Sequence, residues 1–154
     1  MAVVCLGNIC RSPIAHVVLA DKLTAVPTLR PVIVESFGTG DWHIGEPMDP
    51  RAAQTLTAAG YDSSRHRARH TDRDLIAGHD VVLVMDATNL RDVRALASTS
   101  DDRDRVMLFR EFDPLAGDDL DVPDPWYGGQ GGFDEVLAIV ERTTDVLAAL
   151  LSSR

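Results

Sequence analysis

The sequence predicts an α/β fold in which a four-stranded parallel sheet carries helices on both faces. Short apolar segments alternate with segments of helical periodicity, which is typical of parallel strands joined by right-handed crossovers. Residues 81–85 are apolar at every position, as expected of a strand covered on both faces. The chain has 154 residues, 45% of them hydrophobic, and contains no repeat, linker or low-complexity tract. Residues 1–154 are therefore predicted to form one domain.

Each element is predicted from its own local signals. The first strand covers residues 1–4 and is short, because Cys5 follows it directly. Ser12 suits the N-cap of the first helix and Pro13 its first turn, while Pro27 limits that helix. Apolar periodicity and Gly or Pro boundaries define the remaining elements. These are a strand at 32–34, helices at 49–59 and 71–77, a strand at 81–85, a helix at 89–96, a strand at 106–108, a loop at 112–127 and a helix at 133–151.

The residues between the first strand and the first helix predict an anion-binding loop. A tight turn against a helix start points backbone N–H groups into one hollow, and the helix dipole adds positive potential there. Gly7 lets the backbone approach a ligand closely, and Asn8 tolerates the left-handed conformation of a tight turn. Cys5, Ser36 and Asp86 all follow predicted strands, at the sheet edge where open α/β folds bind ligands.

Two side chains give this loop a predicted chemistry. Cys5 faces the helix start and a guanidinium, which favours the nucleophilic thiolate form. Arg11 is spaced to clamp a tetrahedral oxyanion with two parallel N–H bonds. A cysteine followed by an arginine is a weak signal alone, because most lone cysteines are small buried residues. The strand, the turn and the helix around the pair make the signal specific.

This loop resembles the signature of the low-molecular-weight protein tyrosine phosphatases, over the segment Val4-Cys5-Leu6-Gly7-Asn8-Ile9-Cys10-Arg11-Ser12-Pro13. The resemblance implies hydrolysis of phosphotyrosine in protein substrates through a phosphocysteine intermediate, without a cofactor. It implies Cys5 as the nucleophile and a phosphate-binding loop of Leu6, Gly7, Asn8, Ile9, Cys10, Arg11 and Ser12. Further matches at residues 36–39, 49–52, 66, 85–90 and 124–128 extend the resemblance over essentially the whole chain.

The same resemblance implies supporting residues and a substrate cleft. Asn8, Ser12, Ser36 and His66 are expected to support the loop, with His66 as a buried histidine bonded to Asn8 and Ser36. Without the resemblance, ordinary packing is the simpler interpretation of Trp42. The residues expected to line the cleft are Ile9, Trp42, His43, Trp126 and Tyr127.

Cleavage of an aryl phosphate also requires a proton donor for the leaving oxygen. Residues 118–124 contain several aspartates, and spacing alone leaves the choice among them open. Asp124 has the surroundings best suited to a catalytic acid, because it lies between two prolines and before two aromatic residues that exclude water. The segment from Asp124 to Gly128 is similar to the Asp-Pro-aromatic-Tyr-Gly motif of the family, which implies that Asp124 is the general acid.

Several alternatives remain open at this point. Cys10 is either a partner that traps oxidised Cys5 as a disulfide, which would make the enzyme redox-sensitive, or a packed small residue. Arsenate reductases share the loop but use further cysteines, and this chain has only two. A phosphoarginine phosphatase of the family carries Thr where this chain has Ile9. A phosphate-dependent binding module is the non-enzymatic alternative, and the set of Cys5, Arg11 and Asp124 argues against it.

Composition narrows the partners. A net charge of −9 and a pI of about 4.8 argue against nucleic acid and anionic membranes. No apolar segment approaches the length of a membrane span, and the apolar start before Arg11 is too short for a signal peptide. The sequence therefore predicts a cytoplasmic monomer, with export by a route that needs no signal peptide as the alternative.

Other conspicuous residues have simpler interpretations. His66 and His70 have i, i+4 spacing but no third ligand, so no metal site is predicted. The glycines at 128–132 lack the flanking strand and Lys-Ser of a nucleotide-binding loop and are predicted to form a flexible connector. His16 and Arg73 are interpreted as solvated surface groups.

Overall fold

The computed structural model describes residues 1–152, in which four strands form a parallel sheet. The strands are β1 (Ala2–Cys5), β2 (Glu35–Gly38), β3 (Val82–Val84) and β4 (Val106–Leu108). Their spatial order is β2-β1-β3-β4, and each of the three pairings is parallel. The predicted α/β class with its four-stranded parallel sheet is confirmed.

Helices connect these strands. Within residues 1–152 the α-helices are α1 (Arg11–Thr24), α2 (Pro50–Ala58), α3 (Ala87–Arg94), α4 (Ser100–Asp104) and α5 (Gln130–Leu151), and a 3₁₀-helix covers Phe109–Phe112. None of these helices is both long and apolar enough to cross a membrane. The short helix α4 and the 3₁₀-helix were not predicted.

The sheet separates two apolar layers. Val3 and Leu83 face one layer, which contains residues of α1 and α5. Val4 and Val84 face the other layer, which contains Val93 of α3. Because β1 and β3 are buried on both faces, apolar residues occupy all of their positions. The helices therefore cover both faces, and Cys5 leaves the sheet at the carboxyl edge of a rigid central strand.

The second strand was predicted at residues 32–34, and this prediction is wrong. Ile33 is 70% exposed, whereas the pairing with β1 begins at Glu35 opposite Ala2 and ends at Gly38 opposite Cys5. β2 lies at the edge of the sheet and pairs with β1 alone, so it needs fewer apolar residues than a central strand. Apolar periodicity therefore pointed to the segment that precedes the strand.

The helix predicted at residues 71–77 is also wrong. The N–H of Thr71 donates to the carbonyl oxygen of Gly38, which keeps the start of this segment extended beside β2. The following residues form turns, one of which is closed by the side chain of Asp72 accepting from the N–H of Asp74. Local side-chain bonds of this kind compete with helix formation.

Two helix starts differ from their predicted positions. Cys10, and not Ser12, is the N-cap of α1, because the hydroxyl of Ser12 is engaged inside the loop. α5 begins at Gln130, so Gly131 and Gly132 lie in its first turn and not in a flexible connector. The start of α5 is therefore closer to Asp124 in sequence than predicted.

Candidate active site

The loop after β1 encloses the sulfur of Cys5, whose residue is only 2% exposed. The backbone N–H of Asn8 donates to this sulfur over 3.3 Å, and the hydroxyl oxygen of Ser12 lies 3.0 Å from it. The amide of Asn8 donates to the same hydroxyl over 2.9 Å, so Ser12 keeps its own proton to donate. Its acceptors are the Cys5 sulfur and, at 3.3 Å, the carbonyl of Phe37. This arrangement stabilises negative charge on the sulfur.

Asn8 is the centre of the hydrogen-bond network that shapes the loop. It is fully buried and has a φ of 55°, in the left-handed region that Asn tolerates better than most residues. Its side-chain oxygen accepts from the N–H of Arg69 at 2.8 Å, and its carbonyl oxygen accepts from Nε2 of His66 at 2.7 Å. The loop conformation is therefore held from below by the segment that follows α2.

His66 is buried and uncharged at neutral pH. Burial lowers its pKa to about 4, and the hydrogen bond to Asn8 only partly opposes this effect. Because its partner is a carbonyl oxygen, which can only accept, the proton of the neutral ring lies on Nε2. His66 therefore supports the loop as a hydrogen-bond donor without adding a positive charge.

Ser36 was expected to bond His66, but its hydroxyl lies 3.2 Å from Nδ1 of His16. The interpretation of His16 as a solvated group is therefore wrong. Its pKa is lowered by burial and, to a smaller extent, by Arg69. Ser36 is buried in β2 and connects this edge strand to α1, so it reaches the loop through the helix and not by a direct bond to His66.

Arg11 at the start of α1 turns its guanidinium back toward the loop. Its side chain is 4% exposed, and Nη1 donates to Oδ2 of Asp86 at 2.7 Å and to the carbonyl of Val122 at 3.0 Å. Burial alone would lower its pKa, but the charges of Cys5 and of nearby aspartates outweigh burial and raise it. Arg11 is therefore a fixed positive charge beside the Cys5 sulfur.

Asp86 is a functional residue that the sequence analysis missed. It follows β3 directly, and its second carboxylate oxygen caps α3 by accepting from the N–H of Asn89 at 2.7 Å. Its position after a buried strand was a usable signal, but nothing local showed that its partner would be Arg11. One carboxylate therefore both starts a helix and orients the guanidinium.

The segment before α5 brings Asp124 to the opposite side of the hollow. Val122 fixes this segment, because its N–H donates to the carbonyl of Met85 at 2.7 Å and its own carbonyl accepts from Arg11. Oδ2 of Asp124 lies 3.6 Å from Nη2 of Arg11, and its side chain is 43% exposed. Asp121, by contrast, caps the N–H of Ala87 on the outside. Asp124 is thus the aspartate of this segment that lines the cleft.

The loop and this segment enclose a cleft of about 160 Å³. The structure brings all five residues expected in the substrate cleft to its wall. Trp126 and the ring of His43 face each other with 6.2 Å between their centroids, and Tyr127 lies at the open rim with 93% exposure. The lining residues are Cys5, Leu6, Gly7, Ile9, Cys10, Arg11, Trp42, His43, Asp124, Trp126 and Tyr127.

Gly38 allows the loop to lie directly on β2. A Cβ atom at this position would lie 2.7 Å from the carbonyl oxygen of Leu6 and 3.1 Å from the backbone nitrogen of Asn8. Both neighbours are backbone atoms that cannot move aside, so a side chain would displace the loop. The sequence analysis assigned Gly38 no role beyond its place in the matched segment.

Cys10 lies against the cleft but differs from Cys5 in its surroundings. Burial raises the pKa of its thiol to about 12, and the charge of Asp49 contributes a smaller part of the increase. Cys10 is therefore a neutral thiol at physiological pH. Both cysteines are free.

Comparison with solved structures defines the class of protein. A protein tyrosine phosphatase from Entamoeba histolytica matches 97% of this chain and 94% of its own, with a TM-score of 0.89 and 28% sequence identity. The fold and the cysteine-containing loop thus define an α/β phosphatase.

Comparison with sequences gives the family. A low molecular weight protein-tyrosine-phosphatase of Streptomyces coelicolor is 45% identical over 149 residues, covering 96% of this chain and 90% of that protein. Low molecular weight protein-tyrosine phosphatase A of Mycobacterium tuberculosis is 41% identical over 139 residues, covering 90% and 82% respectively. The family model for low molecular weight phosphotyrosine protein phosphatase matches residues 1–154. The chain belongs to this family of hydrolases, which does not favour the arsenate reductase alternative.

Proposed function

We propose that this phosphatase hydrolyses phosphotyrosine in protein substrates through a phosphocysteine intermediate on Cys5. The observation that carries the proposal is the Cys5 sulfur at the base of a cleft, with Arg11 and Asp124 lining the same cleft. Nucleophile, anion clamp and acid are thereby within reach of one phosphoryl group.

In the first step, the Cys5 thiolate attacks phosphorus and the bond to the tyrosine oxygen breaks. Asp124, protonated before the reaction, gives its proton to the departing phenolate. The loop N–H groups and the guanidinium of Arg11 bind the equatorial oxygens as charge develops on them. Asp86 keeps that guanidinium in place during the step.

In the second step, Asp124 is a carboxylate and takes a proton from a water molecule. The resulting oxygen nucleophile attacks phosphorus, the bond to sulfur breaks, and the Cys5 thiolate is regenerated with release of phosphate. Ser12 donates a hydrogen bond to the sulfur in this step, which makes the thiolate a better leaving group.

The cleft favours an aryl phosphate over an alkyl phosphate. Cys5 is nearly inaccessible at its base, whereas Trp42 and Trp126 stand exposed at the walls, where a phenyl ring can stack on them. A phosphoserine side chain is too short to bring its phosphoryl group to the base while its backbone stays outside. We further propose that residues 1–154 act as one monomeric domain on cytoplasmic phosphoproteins, in keeping with the two free thiols.

The test is hydrolysis of a phosphotyrosine peptide and its phosphoserine counterpart by the wild type, Cys5→Ser, Asp124→Ala and Asp118→Ala. Cys5→Ser is expected to lose activity, and the wild type to prefer phosphotyrosine. Asp124→Ala is expected to lose about 10²–10⁴-fold with poor leaving groups and far less with good ones. The exposed Asp118 serves as the matched control. Activity that survives in Cys5→Ser would contradict the mechanism, and an equal loss with all leaving groups would dismiss Asp124 as the acid.

A further inference from the structure

Arg51, in the first turn of α2, contacts both halves of the site without lining the cleft. We propose that Arg51 is a positioning residue that holds the segment carrying Asp124 and Trp126 against the phosphate-binding loop. This proposal rests on the proposed role of Asp124 as the general acid.

The first part of the argument is the contact with the acid-bearing segment. Nη1 of Arg51 donates to the carbonyl oxygens of Trp126 and Gly128, each at 3.2 Å. The guanidinium carbon lies 5.6 Å from the centroid of the Trp126 ring and 4.7 Å from that of Phe133, within the range of cation–π attraction. One side chain thus fixes both the backbone after Asp124 and the aromatic wall.

The second part is the contact with the phosphate-binding loop. Nε and Nη2 of Arg51 donate to the two carboxylate oxygens of Asp49 at 3.1 Å and 3.0 Å, in the bidentate geometry that only arginine provides. The N–H of Asp49 in turn donates to the carbonyl of Ile9 at 2.8 Å. Burial alone would raise the pKa of Asp49, but its bonds from Arg51 outweigh burial and lower it. A continuous set of bonds therefore runs from Ile9 to Trp126.

The third part is how little else holds this segment. Val122 is bonded to Met85 and Arg11, but within the described part of the chain the hydrogen bonds of residues 123–129 to other segments come from Arg51. The remaining bonds are local, from Trp126 to Asp124 and from Gly128 to Pro125. The ion pair between Arg11 and Asp124 involves the acid itself and is broken when Asp124 is protonated.

Stability of α2 does not explain this arginine. A positive charge in the first turn of a helix opposes the helix dipole, and the N-cap bond from Asp49 is made to a backbone N–H that any residue but proline would supply. The guanidinium is directed away from the helix, toward Asp49 and the segment before α5. Its position therefore serves the connection between the two segments.

The experiment compares kcat/KM for phenyl phosphate, a poor leaving group, with that for 2,4-dinitrophenyl phosphate, a good one. Arg51→Ala is expected to lower the ratio of the two values about tenfold, a fraction of the full contribution of a general acid. Arg51→Lys keeps the charge but not the fork and is expected to lower the ratio by less. Arg91→Ala, which removes an exposed arginine of α3, is the matched control and should keep the wild-type ratio.

The double variant Arg51→Ala/Asp124→Ala separates positioning from general damage. If Arg51 acts through Asp124, the double variant has the same ratio as Asp124→Ala alone. An equal loss with both substrates in Arg51→Ala and Arg51→Lys would overturn the proposal, since misfolding lowers both values together. If Asp124→Ala itself leaves the ratio unchanged, the assignment of the acid is wrong and the proposal fails with it. If Asp124→Ala changes the ratio and neither Arg51 variant does, the Arg51 proposal alone is overturned.

Discussion

Nη1 of Arg11 donates a hydrogen bond of 2.7 Å to Oδ2 of Asp86, which lies 75 residues further along the chain. Both side chains are largely buried, with 4% and 20% exposure. The guanidinium is therefore fixed beside the Cys5 sulfur before a ligand arrives, and no reorganisation is needed when charge develops on a bound phosphoryl group.

Substitution of Asp86 by Asn tests this relationship. Asn caps helices as well as Asp, so α3 keeps its N-cap while Arg11 loses its charged partner. A hydrogen bond to a charged group contributes about 1.5–3 kcal/mol, so kcat/KM for phenyl phosphate is expected to fall roughly 10–100-fold. Steady-state kinetics measures this, with Asp92→Asn on the exposed side of α3 as the control. Wild-type kcat/KM and wild-type inhibition by inorganic phosphate in Asp86→Asn would show that Arg11 needs no such partner.

Asn8 offers a separate test of how the loop is held. Asn8→Ala removes the bonds to Ser12 and Arg69 and puts a Cβ residue at φ 55°, whereas Asn8→Gly removes the same bonds without the backbone strain. The free energy of unfolding is expected to fall by about 2–4 kcal/mol in Asn8→Ala and by about 1 kcal/mol less in Asn8→Gly. Urea unfolding at neutral pH measures both. Equal stability of Asn8→Ala and the wild type would contradict the central position of this residue.

His66 predicts a pH dependence of stability. Its pKa is lowered by burial to about 4 from an ordinary value of 6.5, so the unfolded chain takes up the proton first as pH falls. Folding stability is therefore lost as pH falls from about 6.5 to about 4. His66→Gln keeps an N–H donor for Asn8 but cannot titrate, so its free energy of unfolding should fall less steeply across this window. Urea titrations at several pH values measure the two slopes.

A matched control and a second acidic group make that test specific. His70→Gln removes an exposed histidine and should keep the slope of the wild type. Burial alone would raise the pKa of Asp113, but hydrogen bonds led by that from Arg142 outweigh it and lower the pKa to about 2. Its contribution is lost only below the ordinary value of 3.8, outside the His66 window. Parallel slopes in His66→Gln and the wild type would contradict the account.

The two cysteines are expected to differ in reactivity. Burial raises the pKa of Cys10 to about 12, so at pH 7 it is a thiol, and iodoacetamide should modify Cys5 well before Cys10. Peptide mass analysis after partial alkylation measures this, and inorganic phosphate should protect Cys5. Early labelling of Cys10 would be the opposite result. A disulfide between the two remains a hypothesis: peroxide treatment gives a linked pair if Cys10 traps oxidised Cys5, and only sulfinic or sulfonic Cys5 if it does not.

Much of the fold and the loop was predictable because the signals are local. The central strands are apolar on both faces, and the loop residues from Cys5 to Ser12 are contiguous, so strand, turn and helix start are visible in one short segment. The cleft residues were placed by resemblance, since Trp42 and Tyr127 have no distinguishing local pattern.

The remaining features depend on contacts between distant segments. β2 is set by its register with β1, and the residues before it are more apolar than the strand itself. The partner of Arg11 is 75 residues away, and that of Ser36 is His16 on a helix that precedes it. Such pairings are decided by how the helices pack on the sheet, which residue spacing in one sequence does not show.

The central claim is a covalent bond between phosphorus and the Cys5 sulfur, and direct detection of that bond tests it. Asp124→Ala is mixed with excess 2,4-dinitrophenyl phosphate, which needs little acid assistance, and the reaction is quenched in acid during the first turnovers. Loss of Asp124 slows hydrolysis of the intermediate, so peptide mass analysis is expected to show one added phosphoryl group on the peptide containing Cys5, and none in Cys5→Ser. A phosphoryl group on another residue, or product release with no phosphoenzyme in a burst-competent preparation, would contradict the account.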